Sequence, residues 1–196
     1  SFPTRRSSDL LAQNGWLGIC IPEAYGGSGL GLVEASLMRQ AVAESGAGIS
    51  GCSSIHLNIF GLNPVVVYGT DEQKRRMLPP SARGEQKSCF AVTEPDTGLN
   101  TTRLKTTARR DGDHYVVDGQ KVWISGAQAA DKMLLLARTT PLDRVRKPTE
   151  GLSLFYTAID RAHVEMREID KMGRHAVDSN QIFFDGFRVP VEDRIG

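Results

Sequence analysis

The chain has 196 residues, of which 40% are hydrophobic and 24% charged, and its formal net charge is +1. This size and composition provide a buried core for one substantial domain or two small ones, which excludes a disordered chain. A charge so close to neutral disfavours nucleic-acid and membrane-surface binding, because both need a basic excess on one face. No apolar run approaches the ~20 residues that span a bilayer, so no membrane segment is predicted.

Residues 1–9 have no apolar core and match neither a signal peptide nor the pattern that follows, so we treat them as a non-family or artefactual tail. Cys20, Cys52 and Cys89 are widely spaced and odd in number. This usage favours free thiols in a reducing compartment, such as a bacterial-type cytoplasm, over a disulfide framework. The histidines lack the spacing of metal-binding motifs, so no metal site is predicted.

Residues 10–86 have the apolar period of helices. Val33 and Leu37 lie four residues apart, on one face of a predicted helix that Gly46 and Gly48 end. The glycine-rich run before this helix lacks the GxGxxG spacing of dinucleotide-binding loops, and no parallel βαβ unit surrounds it. We therefore expect it to lead into a helix that starts near Leu32.

The rest of the first half gives further helix signals. The apolar stretch of residues 55–68 is interrupted at Pro64, which kinks or breaks a helix. Thr70 and Gln73 have the spacing of a capping box, in which each side chain bonds a backbone N–H of the other residue. The next helix is expected to stop at Pro79-Pro80. Residues 10–86 are thus predicted to form a helical domain.

Residues 87–196 have the pattern of a β-domain. Asp111-Gly112 and Asp118-Gly119 are turn dipeptides on either side of a short strand, as in a β-meander. Residues 139–149 are predicted to form a long loop. A helical domain followed by an antiparallel β-barrel or sandwich defines an α+β fold. Further strands are predicted at residues 87–93, 104–109, 121–124, 133–137, 152–159, 164–167 and 181–184.

Two features have alternative interpretations when residues are considered alone. Glu94 and Asp96 form a carboxylate pair of the kind used for general acid–base chemistry. However, Asp96-Thr97-Gly98 favours a turn, in which the Asp96 side chain bonds nearby backbone amides. Trp123 lies in a strand-like run, where a single tryptophan is usually part of the core.

Two segments resemble the flavin-binding signature of the acyl-CoA dehydrogenase family: Cys89–Gly98 and Asp118–Ser125. Further family landmarks, in family order, are Gly15–Gly18, Pro22–Gly29, Gly69–Lys74, Val189-Pro190 and Ile195-Gly196. The resemblance extends from Leu10 onward. It implies a helical N-terminal domain, a middle β-domain and a C-terminal helical bundle, of which the last is expected to be missing from this chain.

The resemblance also implies which residues contact the flavin of a bound FAD. Val92 would supply backbone polar groups, the Thr93 hydroxyl would bond the ring, and Trp123 would pack against the isoalloxazine. Glu94 is then a structural part of the turn, not a base. Leu99 departs from the family pattern, because many members have a serine there. The cofactor-binding residues implied in this way are Phe90, Val92, Thr93, Leu99, Trp123, Ile124 and Ser125.

The implied activity is α,β-dehydrogenation of an acyl-CoA thioester in fatty acid metabolism. Family members take the α proton with a Glu of the C-terminal domain, so no catalytic residue is assigned here, and this polypeptide alone is expected to be inactive and to bind FAD weakly. An electron-transfer flavoprotein is the implied acceptor and a homotetramer the implied assembly. Alternatives are an acyl-CoA oxidase or flavin monooxygenase on the same scaffold, or a non-catalytic binding module.

Overall fold

The computed structural model describes residues 10–196 apart from the side chains of Ser54 and Asn58, and the predicted tail of residues 1–9 lies outside the described residues. The chain divides into two compact units, and each is described by itself. The first unit runs to Ser88 and includes Lys171–Val177, and the second comprises Cys89–Asp170 and Asp178–Gly196.

The first unit is helical, as predicted. The predicted helix near Leu32 begins there, and Gly46 interrupts the helical path with φ 92°. A small apolar core joins Leu17 and Ile19 to Ala35 of the first helix. Within residues 10–196, no helix combines the length and the apolar character needed to cross a membrane. The helices are α1 (Leu32–Val42), α2 (Gly48–Phe60), α3 (Asn63–Tyr68) and α4 (Asp71–Ala82), with a 3₁₀ turn at Glu23–Tyr25 and a π-helical turn at Ala43–Ala47.

The predictions for the two ends of α4 had different outcomes. At the start, the capping box is confirmed: the Gln73 N–H donates to the Thr70 hydroxyl at 3.2 Å and the Thr70 N–H to the Gln73 side chain at 3.0 Å. The predicted stop at Pro79-Pro80 is wrong, since α4 continues to Ala82. Both prolines lie in the last turn, where their carbonyls still accept backbone hydrogen bonds from the residues that follow.

The second unit is built on one sheet with the strand order β6-β7-β3-β2-β4-β5-β8, and β1 pairs with β4. Most neighbours are antiparallel, but Thr107 of β2 and Arg138 of β4 pair in parallel. The predicted loop of residues 139–149 lies between β4 and β5. The strands are β1 (Ser88–Ala91), β2 (Thr107–Asp111), β3 (His114–Ser125), β4 (Lys132–Arg138), β5 (Leu152–Ala158), β6 (Val164–Glu168), β7 (Ser179–Pro190) and β8 (Arg194–Ile195).

The sheet of the second unit folds over its own core. The ring of Tyr115 in β3 meets the ring of Phe155 in β5 edge-on, with centroids 5.0 Å apart. In the sheet order β2 and β4 lie between these two strands, so the contact is made across the core and not between neighbours. Because β6 and β8 remain at opposite ends of the strand order, the sheet is sandwich-like and not a closed barrel. The predicted α+β fold is confirmed.

The turn predicted at Asp118-Gly119 is wrong. Both residues lie inside β3, which runs without a break from His114 to Ser125. The irregularity falls on the partner strand: Val117 and Gly119 face Phe187 and Phe184, so β7 has one extra residue there. The Asp118 carboxylate accepts the N–H of Gly186 at 2.8 Å within this bulge. Turn-forming residues thus stabilise a β-bulge instead of a hairpin.

Candidate functional site

The two segments of the sequence signature lie side by side in the second unit. Phe90 lies in β1, Val92 and Thr93 directly follow that strand, and residues 123–125 end β3. The N–H of Val122 donates to the carbonyl of Thr93 at 2.9 Å. The structure therefore brings residues 90–93 and 123–125 together on adjacent stretches of backbone.

Trp123 lies at a bulge in β3. Lys121 pairs with Ile182 and Ile124 pairs with Asn180, so β3 carries one more residue than β7 over this interval. Within this bulge Trp123 has a left-handed backbone conformation, with a φ of 62°, and 60% of its surface is exposed. A positive φ is uncommon for a bulky residue and is maintained only where the surroundings enforce it. The strand pattern alone favoured a core tryptophan, whereas the structure presents the indole to solvent.

The end of β3 is held from β7 by a buried amide. Asn180 is completely buried, and its Nδ2 donates to the carbonyl of Ile124 at 3.0 Å. Its Oδ1 accepts from Nε2 of Gln128 at 2.8 Å. Ile124 is itself buried, and Ser125 pairs with Ser179 at the end of the ladder. Asn180 was not predicted as part of the site; the only local signal was a pair of amide residues, Asn180 and Gln181, at the start of a strand.

The polar groups that remain available near the junction of the two segments include a backbone N–H, which donates, and hydroxyls, which can donate or accept. The carbonyl of Val92 accepts from Lys121, and that of Thr93 accepts from Val122. Among the backbone hydrogen bonds outside helices and strands, Thr93 takes part as acceptor and not as donor in the described chain. Within residues 10–196 the hydroxyls of Thr93 and Ser125 also have no hydrogen-bond partner. The arrangement suits a ligand edge that is rich in acceptors.

Glu94 organises the turn that follows β1. Its backbone forms two hydrogen bonds with Thr97, at 3.0 and 3.1 Å. Its buried carboxylate accepts the backbone N–H of Lys105 at 2.6 Å and that of Thr106 at 3.0 Å. The turn is confirmed, but Asp96 does not bond backbone amides, because its carboxylate pairs with Nζ of Lys105 at 2.7 Å. Glu94 has the role that the turn pattern predicted for Asp96.

Lys121 lies beneath the same segment, with a side chain that is 0% exposed. Its Nζ donates to Glu94 at 2.9 Å and to the carbonyl of Val92 at 3.0 Å. Burial lowers the pKa of Lys121, and the nearby carboxylate offsets part of that change. Burial alone would raise the pKa of Glu94, but the two backbone donors and Lys121 outweigh it and hold that pKa below its ordinary value.

No role of its own was predicted for Lys121. Lysine is rarely fully buried without a partner, and Glu94 is that partner. The only local signal was a lysine followed by the apolar residues of a strand. The two residues are 27 positions apart in the chain, so their contact is not visible in either segment alone.

Leu99 lies beyond this turn, with its side chain fully exposed to solvent. A recess of about 590 Å³ opens nearby in the same unit. It is rich in cationic groups, although Arg138 donates to four backbone carbonyls and Lys105 pairs with Asp96. The recess is lined by Asp96, Thr97, Arg103, Leu104, Lys105, Arg138 and Leu142.

Cysteines and possible metal ligands are further candidate reactive groups in the described part of the chain. Burial raises the pKa of the Cys89 thiol to about 12, which keeps it protonated and unreactive at neutral pH. Cys20, Cys52 and Cys89 are all free thiols. Over residues 10–196, no cluster of three or more His, Cys, Asp or Glu side chains is arranged to hold a metal ion.

Each of the two units matches a known protein-family model. Residues 1–85 match the family model for the acyl-CoA dehydrogenase N-terminal domain. Residues 89–187 match the model for the acyl-CoA dehydrogenase middle domain. The crystal structure of an acyl-CoA dehydrogenase from Geobacillus kaustophilus superposes with a TM-score of 0.89 at 31% identity, over 98% of this chain and 50% of that one.

Two curated relatives illustrate the range of similar proteins. An acyl-CoA dehydrogenase of Mycobacterium tuberculosis is 35% identical over 95% of this chain and 45% of its own length. A 3-(aryl)acrylate reductase of Clostridium sporogenes is 32% identical over 95% of this chain and 48% of its own length. The chain thus spans about half the length of the curated relatives it matches. The two family models together cover most of the sequence, and the chain belongs to the acyl-CoA dehydrogenase family.

Proposed function

We propose that the full-length protein containing this chain is a flavin-dependent dehydrogenase of acyl-CoA thioesters. One observation carries the proposal: the Val122–Thr93 hydrogen bond joins the two signature segments directly beside the exposed indole of Trp123. A flat aromatic surface next to outward-facing donors matches the shape and polarity of a flavin ring. When bound, a flavin supplies the hydride-accepting chemistry that amino-acid side chains lack.

The donor set fits a flavin. The pyrimidine edge of the ring carries acceptor atoms and gains negative charge on reduction, so fixed donors beside it stabilise the reduced form. Because the carbonyls of Val92 and Thr93 are already engaged, the Thr93 N–H and hydroxyl are the groups left to meet that edge. Backbone donors on a strand cannot reorient, so they favour charge development without reorganisation.

Each remaining residue has a positional role in this proposal. Phe90 and Val92 form the wall beside the ring, and Trp123 packs on its face. Ile124 and the Ser125 hydroxyl complete the edge at the end of β3. Exposed Leu99 replaces the serine of many family members and can offer only backbone polar groups there. We propose FAD as the form of flavin bound.

The chain's own carboxylates near the site are not assigned as the base. Glu94 is 4% exposed and accepts hydrogen bonds from three donors, which leaves it no freedom to take a substrate proton. We propose that the α proton is abstracted by a residue outside this chain. The family resemblance supports an electron-transfer flavoprotein as the acceptor and a homotetramer as the assembly. The three free thiols support a reducing compartment.

The substrate arm is proposed to pass the recess beside Asp96 and Thr97. Its lining includes Arg103, whose guanidinium is suited to the phosphates of coenzyme A. One relative is named as a reductase of an acrylate, which adds hydrogen across a carbon pair of the kind a dehydrogenase desaturates. Reoxidation of the reduced flavin by an unsaturated acyl-CoA tests the reverse direction of hydrogen transfer.

The experiment uses the purified full-length protein. We expect a flavin absorption spectrum at one flavin per chain, and bleaching of that spectrum by a saturated acyl-CoA under anaerobic conditions. Trp123→Ala should weaken flavin retention roughly tenfold through lost stacking. Trp16→Ala is the matched control, because that tryptophan is 45% exposed in the helical unit and should leave retention unchanged.

Two results would contradict the proposal. One is purified wild-type protein that takes up no FAD or FMN, which would favour a non-catalytic binding module. The other is flavin binding that Trp123→Ala leaves unchanged. Rapid reoxidation of the reduced protein by oxygen would instead support the oxidase or monooxygenase alternative on the same scaffold.

A further inference from the structure

Lys121 is a buried cation that the proposed reaction leaves without a role. Its side chain is 0% exposed, and its Nζ lies 3.0 Å from the carbonyl oxygen of Val92 and 2.9 Å from Oε1 of Glu94. Burying an ammonium is costly unless it is paired and hydrogen-bonded. A hydrophobic side chain would fill the same space at lower cost, so the position of the charge calls for an explanation beyond packing.

Glu94 fixes the position of this cation. The carboxylate is itself held by the backbone N–H groups of Lys105 and Thr106, at 2.6 and 3.0 Å. Water is excluded from both charged groups, so neither is screened by solvent. The ammonium therefore remains directed at two defined acceptors, Oε1 of Glu94 and the carbonyl of Val92.

The carbonyl of Val92 and the N–H of Thr93 belong to one peptide group. In a trans peptide these two groups point in opposite directions from a shared, delocalised plane. A charged donor on the carbonyl polarises the whole unit and makes its N–H a stronger donor on the other side. The buried ammonium thus acts on the amide that faces away from it.

We propose that Lys121 is a positioning residue that strengthens the Thr93 N–H as a hydrogen-bond donor and thereby favours the reduced state of a flavin bound beside that amide. The inference rests on the proposed flavin site. Lys121 acts through the Val92–Thr93 peptide, without contact between its side chain and the cofactor. Glu94 holds the cation and opposes part of its charge.

The test is the midpoint potential of the flavin in the full-length holoprotein. For Lys121→Met we expect a roughly tenfold fall in the ratio of reduced to oxidised flavin at a fixed poise, which is about 30 mV more negative for a two-electron couple. Lys121→Arg keeps the charge and should stay near the wild-type value. Lys105→Met removes an exposed lysine that pairs with Asp96 of the same turn, and it should not change the potential.

Glu94→Gln should change the flavin potential in the opposite direction, and it serves as the test if Lys121→Met does not fold. Measured at pH 6, because a lower pH favours the protonated form of Lys121, it should shift the potential to a more positive value. If the pair only stabilised the fold, both variants would shift the flavin potential in the same direction, or they would lose flavin while the flavin that stays bound kept the wild-type potential. Either result overturns the inference, and so does a Lys121→Met protein with the wild-type potential. In all of these cases, flavin binding by the wild type leaves the proposed function standing. A wild-type protein without flavin overturns both.

Discussion

The turn that follows β1 carries the carboxylates of two lysine–carboxylate pairs, and the two pairs have nearly the same N–O distance. Nζ of Lys121 is 2.9 Å from Glu94, and Nζ of Lys105 is 2.7 Å from Asp96. The side chains of the first pair are 0% and 4% exposed, and those of the second are 76% and 69% exposed. Water solvates the second pair whether or not it forms, whereas each buried charge depends on its partner. Burial, and not distance, distinguishes a structural pair from an incidental one.

The largest expected effect comes from removing the buried carboxylate. Glu94→Ala removes the acceptor of two backbone N–H groups and leaves the buried Lys121 without its carboxylate partner, so we expect a loss of about 3–5 kcal/mol in the free energy of unfolding. Chemical denaturation of the full-length protein measures it. Asp96→Ala is the matched control on the exposed pair and should not differ measurably from the wild type. Equal losses of stability for the two variants would contradict the conclusion that burial distinguishes the two pairs.

A smaller effect is expected at Gly119, which approaches the same network from β3. Its φ is +143°, and an added Cβ would lie 2.7 Å from the Cα of Thr106, whose N–H donates to Glu94. We expect Gly119→Ala to cost about 1–3 kcal/mol in unfolding free energy through backbone strain. Gly112→Ala tests a positive φ of +63° with nothing within 4 Å, and it should cost less. A cost no greater than that of Gly112→Ala would show that Thr106 moves away freely.

The smallest expected effect is a dependence on pH. The pKa of Glu94 is held below its ordinary value in the fold, so its contribution is complete above the unfolded pKa and is lost as pH falls through the folded one. The unfolding free energies of the wild type and Glu94→Gln should therefore differ most at neutral pH and converge below about pH 4. Denaturation curves between pH 3 and 7, about the range in which carboxylates titrate, measure this difference. A gap that stays constant over that range would mean that folding leaves the pKa of Glu94 unchanged.

The contrast between Glu94 and Asp96 also shows what sequence patterns can predict. Asp96-Thr97-Gly98 has turn chemistry, and the turn is present. Which carboxylate bonds the backbone amides depends on Thr106 and Lys121, which approach from elsewhere in the chain. Local propensity therefore predicted the turn but assigned its hydrogen bonds to the wrong residue.

The helical unit was easier to predict, because its signals act within a few residues. The capping box at Thr70 and the break at Gly46 depend only on local backbone geometry. Pro79 was misjudged because each proline removes only its own N–H, while its carbonyl still accepts from the residues that follow the helix. Asp118-Gly119 was misjudged because the same dipeptide serves a hairpin turn and a bulge, and the pairing with β7 decides between them.

The candidate site was predictable mainly through the family resemblance. Strand periodicity favoured a buried Trp123, and the bulge that exposes it depends on the register with β7. The proximity of residues 90–93 to residues 123–125 is a tertiary contact that neither segment encodes alone. The roles of these residues toward a flavin remain predictions.

The bulge at Trp123 has a consequence for how this segment tolerates change in chain length. Residues two apart in a regular strand share a face, yet Lys121 is buried and Trp123 is exposed. The single extra residue lets two positions that would share a face point in opposite directions, with the Lys121 cation inward and the Trp123 ring outward. Deleting Val122 would remove the extra residue together with the N–H that donates to the carbonyl of Thr93. Insertions and deletions between Lys121 and Ile124 should therefore be far less tolerated, in natural variation or in library selection, than substitutions at the same positions.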